Sequence, residues 1–242
     1  MRKHAIVSPS AAHRWLNCPL APRLEATLPP KPSIYADEGT LAHSVAEIVA
    51  KVHFQQANTA EYGKTIDQLK KNPLYDHEML QTAGLYTAYL ADRKAHYGAN
   101  SHIEFETKVD ISDYVPEAFG RCDCAMLCGH TLVIADYKHG KGAPVIAREN
   151  PQMMLYALGA LNLWPEERES IEMIELGIVQ PRINYFGKWS CTILELLAWG
   201  EKIKPKARMA YEGKGEFHAG TWCHFCRANG ICEATKGDND ND

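Results

Sequence analysis

In the run Leu132-Val-Ile-Ala-Asp-Tyr-Lys138 an apolar strand ends in a carboxylate and an ammonium two residues apart. Side chains alternate along a strand, so Asp136 and Lys138 point the same way. Asp123 lies thirteen residues before Asp136, in Gly120-Arg-Cys-Asp-Cys124, on what the pattern predicts to be the adjacent strand. Glu106 falls on the polar face of the strand before that. If these strands are neighbours, three carboxylates and a lysine converge. Hard oxygen ligands with positions left for water suit Mg²⁺ or Mn²⁺. Such an ion stabilises charge on a phosphodiester and acidifies an attacking water. The lysine then orients that water or neutralises developing charge. The plainer alternative is a surface ion pair between Asp136 and Lys138, with Asp123 in a turn.

The elements that must position these groups follow from hydrophobic periodicity. Residues 8–17 predict a short helix capped by Ser8 or Ser10, running into Cys18-Pro19. A loop containing Pro22, Pro29, Pro30 and Pro32 follows, then a helix over 35–54 with Leu41, Val45, Ile48, Val49 and Val52 as its apolar stripe. Residues 63–73 read as irregular and 76–97 as helix. From 102 to 110 the period changes to two: Ile103, Phe105 and Val109 alternate with Glu104, Glu106 and Lys108, as in a half-buried strand. Strands over 119–128 and 131–138 join at Gly129-His130 as a hairpin. Asn150 caps a helix with Pro151 at its first position, reaching about Trp164. Strands at 171–180 and 187–194 and a helix over 195–211 complete the order. The expectation is an α/β fold, a mixed sheet flanked by helices, in one domain over 1–236. Its parts are a helical region (8–100), a central core (101–194) and a cysteine-rich end (195–236), with a disordered tail at 237–242.

Composition narrows the class. The 242 residues are 45% hydrophobic and 23% charged, enough for a real core and unlike disordered or fibrous chains. No apolar run approaches the ~18 residues needed to cross a bilayer, and no signal peptide opens the sequence, so the expected setting is the cytoplasm with no membrane partner. A net charge of -4 leaves nucleic acid open, because binding depends on where positive charge sits. No internal repeat is present. Eight cysteines in a reducing compartment point to metal binding or burial rather than disulfides.

Three of them, Cys223, Cys226 and Cys232, fall within ten residues. Such a trio needs a fourth ligand, and Cys18, directly after the first helix, is the natural candidate. Four thiolates suit Zn²⁺ or an iron–sulfur cluster, and spacing does not decide between them; His224 leaves a mixed zinc site open. Either would tie the chain ends together, worth on the order of 5 kcal/mol on the loop-closure scale of a cross-link. Cys122, Cys124, Cys128 and Cys191 read as core, with Cys122 and Cys124 both facing away from Asp123.

Gln152 and Tyr156 share one face of their helix, and His43 sits one turn into the helix after Glu38-Gly-Thr40. Taken with Gly120-x-x-Asp123 and Asp136-x-Lys138, this order of motifs resembles the PD-(D/E)XK nuclease superfamily in its RecB-like branch. Gly39-Thr40-x-x-His43 is similar to that branch's upstream histidine motif. The likeness spans Ser8 to Cys232, with one departure: Cys122 rather than proline precedes Asp123.

The resemblance implies a restriction-endonuclease-like core and a role for each residue. Asp123 and Asp136 would bind the metal with His43 and the backbone carbonyl of Tyr137. Lys138 would be catalytic. Gln152 and Tyr156 would hold substrate, and Glu106 would be a supporting or second-metal residue. One distant amino-terminal cysteine and a carboxy-terminal trio resemble the [4Fe–4S] staple of such nucleases, AddB-type and CRISPR-associated adaptation enzymes among them. The cluster ligands would then be Cys18, Cys223, Cys226 and Cys232, with structural Zn²⁺ as the alternative.

Positive charge for phosphates is available in Lys141 and Arg148, near Gly140 and Gly142, and in His139, Arg182 and Lys188. The group Lys202, Lys204, Lys206 and Arg208 reads equally as a solvated helix face. Trp15, Tyr35, Tyr137 and Tyr185 could stack on unpaired bases, although most aromatics in such a chain are core. The functional expectation is a metal-dependent deoxyribonuclease, an exonuclease on single-stranded or resected ends. The rivals are a non-hydrolytic nucleic-acid-binding or scaffolding protein and a zinc-dependent regulator. No phosphate-binding Gly-x4-Gly-Lys-Ser/Thr loop is present, so the chain would act alone or beside a separate partner protein. By analogy alone, the setting would be a phage or prophage recombination module in a bacterial host's cytoplasm, beside a single-strand-binding or annealing protein. Oligomeric state is left open.

Overall fold

All seven residues of Thr131–Tyr137 are buried, which a strand achieves only when both faces of its sheet are covered. A computed structural model describes residues 5–98 and 101–236; the expected tail at 237–242 lies outside the described residues. Strands β1 (Ser101–Asp110), β2 (Phe119–Cys128), β3 (Thr131–Tyr137), β4 (Met173–Gln180) and β5 (Tyr185–Thr192) form one sheet in sequence order. Pairing is antiparallel except between β3 and β4, which are parallel. The helix α6 (Pro151–Ala160) makes the crossover between those two. This is the expected α/β architecture, a mixed five-stranded sheet between helices.

One face is covered by α3 (Ile34–His53), α4 (Thr59–Leu69) and α5 (Glu78–Tyr97), whose Leu41, Val45, Met79, Tyr86 and Leu90 pack on Met126, Val133 and Ala135. The other face is covered by α6, by α1 (Ala12–Asn17) and by α7 (Ile193–Glu212), with Trp15, Leu155, Leu158 and Ile203 against Leu132, Ile134 and Ile174. Among the described residues no helix is long and apolar enough to cross a membrane.

Three sequence expectations need correction. The predicted proline loop holds a helix, α2 (Ala21–Thr27), with Pro22 in its first turn, where a missing N–H breaks no helical bond. The segment 63–73, read as irregular, lies largely in α4. There Asn58 accepts from the Glu61 N–H while the Glu61 carboxylate takes the Asn58 N–H, and this reciprocal cap starts the helix despite Gly63. The helix expected to reach Trp164 stops at Ala160.

The close seat of α6 on the sheet depends on Gly159. A methyl group there would stand 2.9 Å from the Asp110 carbonyl oxygen and from Val109 and Ile111 side-chain carbons. Gly159→Ala should therefore cost about 1–3 kcal/mol through overpacking, read by urea unfolding. An unchanged midpoint would contradict this packing.

Candidate metal centre

The β2–β3 ladder runs from Cys128↔Thr131 to Cys124↔Ala135 and stops there. Beyond it β2 stays with β1, while β3 stays with β4 and the Lys138 N–H still reaches the Val179 carbonyl at 2.8 Å. Asp123 and Asp136 are the first residues past the parting. The Tyr137 N–H, on the side β2 has left, is taken by Asp123 Oδ2 at 2.8 Å. A carboxylate thus replaces the missing strand partner.

The opposite strand is distorted at the same level. Glu106 lies across from Asp123, between the pairs Phe105↔Cys124 and Thr107↔Cys122, and its φ is 49°. A left-handed backbone is uncommon for a residue with a side chain and is met disproportionately at functional sites. It also breaks the alternation of both strands. Phe105 and Cys124 pack with the α3–α5 face, whereas Val109 and Cys122 pack with the α6 face. The expectation that Cys122 and Cys124 share a face is therefore wrong, although both are buried core residues as expected.

His43 completes the set from α3. Its Nδ1 is 3.3 Å from Asp123 Oδ2 and 3.7 Å from Glu106 Oε1. Ligand atoms of His43, Glu106 and Asp123 all lie within 4.8 Å of one another, the one such triple among the described residues. Glu106, the least expected of the three, is thus at the centre. An imidazole with two carboxylates is a donor set that fits a divalent ion such as Mn²⁺.

Burial opposes charge on His43, but the Asp123 carboxylate and hydrogen bonds to Asp123 and Glu106 outweigh it, and the imidazole is raised to about 10. Burial likewise works against the Asp123 anion, yet the His43 charge and hydrogen bond hold its carboxyl below the ordinary value. Without an ion, the imidazolium fills the place of positive charge between two carboxylates. A metal binding there must displace that proton.

Asp136 is buried, and burial together with the nearby Asp123 charge raises its carboxyl. Its Oδ2 lies 2.8 Å from Lys138 Nζ, and its Oδ1 accepts a long bond from Gln152 Nε2 at 3.4 Å. Gln152 Nε2 also donates to Tyr156 OH at 3.2 Å. Burial opposes the Lys138 ammonium, but Asp136 and Asp123 hold it protonated. Burial and the same two carboxylates keep the Tyr156 phenol protonated. The five expected groups Asp123, Asp136, Lys138, Gln152 and Tyr156 are therefore joined to His43 and Glu106 in one site.

A network absent from the sequence reading braces it. Tyr137 OH meets Thr82 Oγ1 at 2.7 Å and His139 Nδ1 at 3.0 Å. His139 Nε2 is 3.3 Å from Glu38 Oε1, and Arg182 spans Glu38 and Glu78 with two contacts of 2.9 Å. Arg182 thereby fastens α3, which carries His43, to α5 and to the segment following Lys138. Its basic character was visible in the sequence; its partners, 144 and 104 residues away, were not. Lys141 is largely exposed and pairs with Glu78 at 3.6 Å, and Arg148 is exposed on the loop before α6. Neither touches the carboxylate cluster.

Far from these carboxylates in sequence, Cys18, Cys223, Cys226 and Cys232 line one small cavity with Trp222 and His218. The His218 N–H points at Cys18 Sγ, at 3.5 Å. Glu25 clamps the same region: one oxygen takes Arg14 Nε and the other the Arg227 N–H, both at 2.9 Å. Arg23 adds hydrogen bonds to the Tyr211 carbonyl. The segments around Glu25 and Arg227 are thus held together by side-chain bonds.

A family model described as "Protein of unknown function (DUF2800)" matches residues 4–241. Among solved structures, one titled "Crystal structure of SSO0001" aligns over 93% of this chain and 96% of that one, with 15% identity and a TM-score of 0.35. At that distance the alignment supports no functional statement.

The raised His43 has a signed consequence for stability. A folded value near 10 against an ordinary 6.5 means its contribution is complete below pH 6.5 and disappears as pH rises towards 10. In chelator, wild type should exceed His43→Gln in urea stability by a margin that narrows steadily between those values. A margin that does not change with pH would contradict the Asp123–His43–Glu106 arrangement.

Proposed function

The chain belongs to the DUF2800 family, and we propose that it is a divalent-metal-dependent nuclease of the PD-(D/E)XK type, cutting DNA as an exonuclease on single-stranded or resected ends. One observation carries this reading: His43, Glu106 and Asp123 present ligand atoms within 4.8 Å of one another, beside a buried Asp136–Lys138 pair 2.8 Å apart. His43, Glu106 and Asp123 would hold the ion, with Asp136 and the Tyr137 carbonyl bordering it. When bound, Mn²⁺ or Mg²⁺ supplies an acidified water and takes up charge on the phosphodiester.

The protein's own groups do the rest. Lys138, kept as an ammonium, serves as a fixed positive charge beside the phosphoryl oxygens rather than as a proton acceptor. Asp136 holds that ammonium in place. Gln152 gives its two amide hydrogens to Asp136 and Tyr156 and so sets the phenol in place, and the protonated Tyr156 hydroxyl is a donor for a phosphate oxygen. Arg182 keeps α3 docked, so that His43 meets Asp123 across the sheet. A single-strand-binding or annealing protein in the host cytoplasm is the proposed working partner.

The cysteine cavity fits a second, structural group. A ZnS4 tetrahedron built with 2.3 Å bonds needs sulfurs about 3.8 Å apart. Four cysteines lining one cavity suit that site or a [4Fe–4S] cluster, and the cluster is the proposed occupant. Anaerobically purified protein should be brown and contain roughly four irons with matching sulfide per chain; a colourless protein with one zinc would contradict the cluster.

Digestion of end-labelled single- and double-stranded oligonucleotides in Mn²⁺ or Mg²⁺ tests the activity and reports polarity. Asp123→Ala, Asp136→Ala and Lys138→Ala should each lower the rate at least about 100-fold, the scale of losing one transition-state charge contact. Variants that digest as fast as wild type would refute the assigned site. A wild type that binds DNA without cutting it would favour a non-hydrolytic binding protein.

A further inference from the structure

A second cavity, of ≈ 310 Å³, opens on the other side of the β2 ridge from the carboxylates. Ser8, Ser10, Lys108, Phe119, Arg121 and Tyr156 line it. Arg121 also lines the ≈ 550 Å³ mouth of the metal centre, together with His43, Glu106 and Asp123. The two spaces therefore share Arg121 as a wall, and Tyr156 connects the second to Asp136 through Gln152.

The charge here is unusual for a structural surface. Lys108 and Arg121 are direct cross-strand partners on β1 and β2, and like charges placed opposite each other destabilise a sheet. Little nearby offsets them. Lys108 makes no ion pair among the described side chains and rests on the Phe119 ring, 4.4 Å from its centroid. Arg121 Nη1 donates to the Glu106 backbone carbonyl at 3.1 Å but stands 3.9 Å from that residue's carboxylate, which belongs to the metal set. Asp110, two residues from Lys108, is held below its ordinary value first by its bonds to Ser112, the N–H at 2.8 Å among them, and only then by Lys108. An anion entering the cavity would relieve the repulsion.

The shape is maintained as well. At Gly120 a side chain would run into the Tyr156 ring and come within 2.9 Å of Pro9, so only glycine lets Pro9, Tyr156 and β2 meet as they do. The Ser8 and Ser10 hydroxyls, 3.2 Å apart, stand at the edge. Two cations and two hydroxyls are the chemistry that holds a phosphate, and the Phe119 and Tyr156 rings border the space an adjoining unpaired base would take. The volume is at the lower end of the ~300–1,000 Å³ range of ligand pockets. It suits one nucleotide rather than a duplex.

We infer that this cavity is a nucleotide subsite of the nuclease, receiving the unpaired DNA residue next to the scissile phosphate as the strand crosses Arg121. The inference rests on the nuclease reading for its substrate, but its test does not require cutting. Fluorescein-labelled oligothymidylate is titrated with the full-length protein in chelator, and anisotropy is followed against salt. Lys108→Glu should weaken binding about tenfold and flatten the log–log salt slope by about 0.7, the loss of one phosphate contact on a single strand. Lys64→Glu, an equal charge change on α4 across the sheet, should stay within twofold; it should melt as wild type does, and Lys108→Glu no lower, because it turns a like-charge cross-strand pair into an opposite one. Ser8→Ala with Ser10→Ala should weaken binding in the same direction.

Equal losses for Lys108→Glu and Lys64→Glu would overturn the subsite, as would no loss in either. Stronger Lys108-dependent binding of oligouridylate would overturn its assignment to DNA. Cleavage in Mn²⁺ separates the two claims. If wild type cuts and Lys108 is indifferent, the subsite falls and the nuclease stands. If binding depends on Lys108 but nothing is cut, the subsite stands and the nuclease reading falls.

Discussion

The parting of β2 from β3 after Cys124↔Ala135 is the constraint on which the site depends. A continued ladder would bind the Tyr137 N–H to a backbone carbonyl and close the gap between Asp123 and Asp136. Instead the N–H goes to a carboxylate, and that bond orients Asp123 towards His43. An unpaired buried N–H costs about 1–3 kcal/mol, so Asp123 satisfies the backbone in the same act that shapes the site. Glu106, in its left-handed conformation across the strand, turns its carboxylate to the same point.

Concentrated negative charge at this point has to be balanced. His43 and Lys138 supply the balance from opposite sides of the sheet, the first from α3 and the second from the end of β3. Asp123 and Asp136 consequently differ: the first is held below its ordinary value and the second above it. Two neighbouring carboxylates driven apart in this way form an asymmetric site, with Asp123 the better permanent anion. The brace from Arg182 through Glu38 and Glu78 matters because His43 belongs to a helix that reaches the sheet chiefly by packing. It adds a second polar tie on that helix, besides the contacts His43 itself makes to Asp123 and Glu106.

Much of this was legible in the sequence where the signal was local. Period-two alternation located β1, the strands expected at 119–128, 131–138, 171–180 and 187–194 overlap β2 to β5, and the spacing from Asp123 to Asp136 and Lys138 placed three charged groups on adjoining strand ends. Asn150-Pro151 announced α6 and hence the shared face of Gln152 and Tyr156. Elements governed by a cap rather than a stripe were missed: α4 buries only Ile66 and starts because Asn58 and Glu61 bond to each other. The reversal of facing at Glu106 and Asp123 could not be read, since strict alternation assumes an unbroken β backbone. That is why Glu106 looked peripheral and why Cys122 and Cys124 seemed to share a side. Arg182 was visible only as a positive charge, because its partners come from helices far away in the chain.

The central claim is that one divalent ion is held by His43, Glu106 and Asp123. Anomalous scattering from crystals grown with Mn²⁺ tests it most directly. The account predicts a manganese peak bonded to the His43 imidazole and to the Glu106 and Asp123 carboxylates, with His43 no longer carrying the bridging proton. A peak elsewhere, or an intact Asp123–His43 contact with no metal at saturating Mn²⁺, would contradict it.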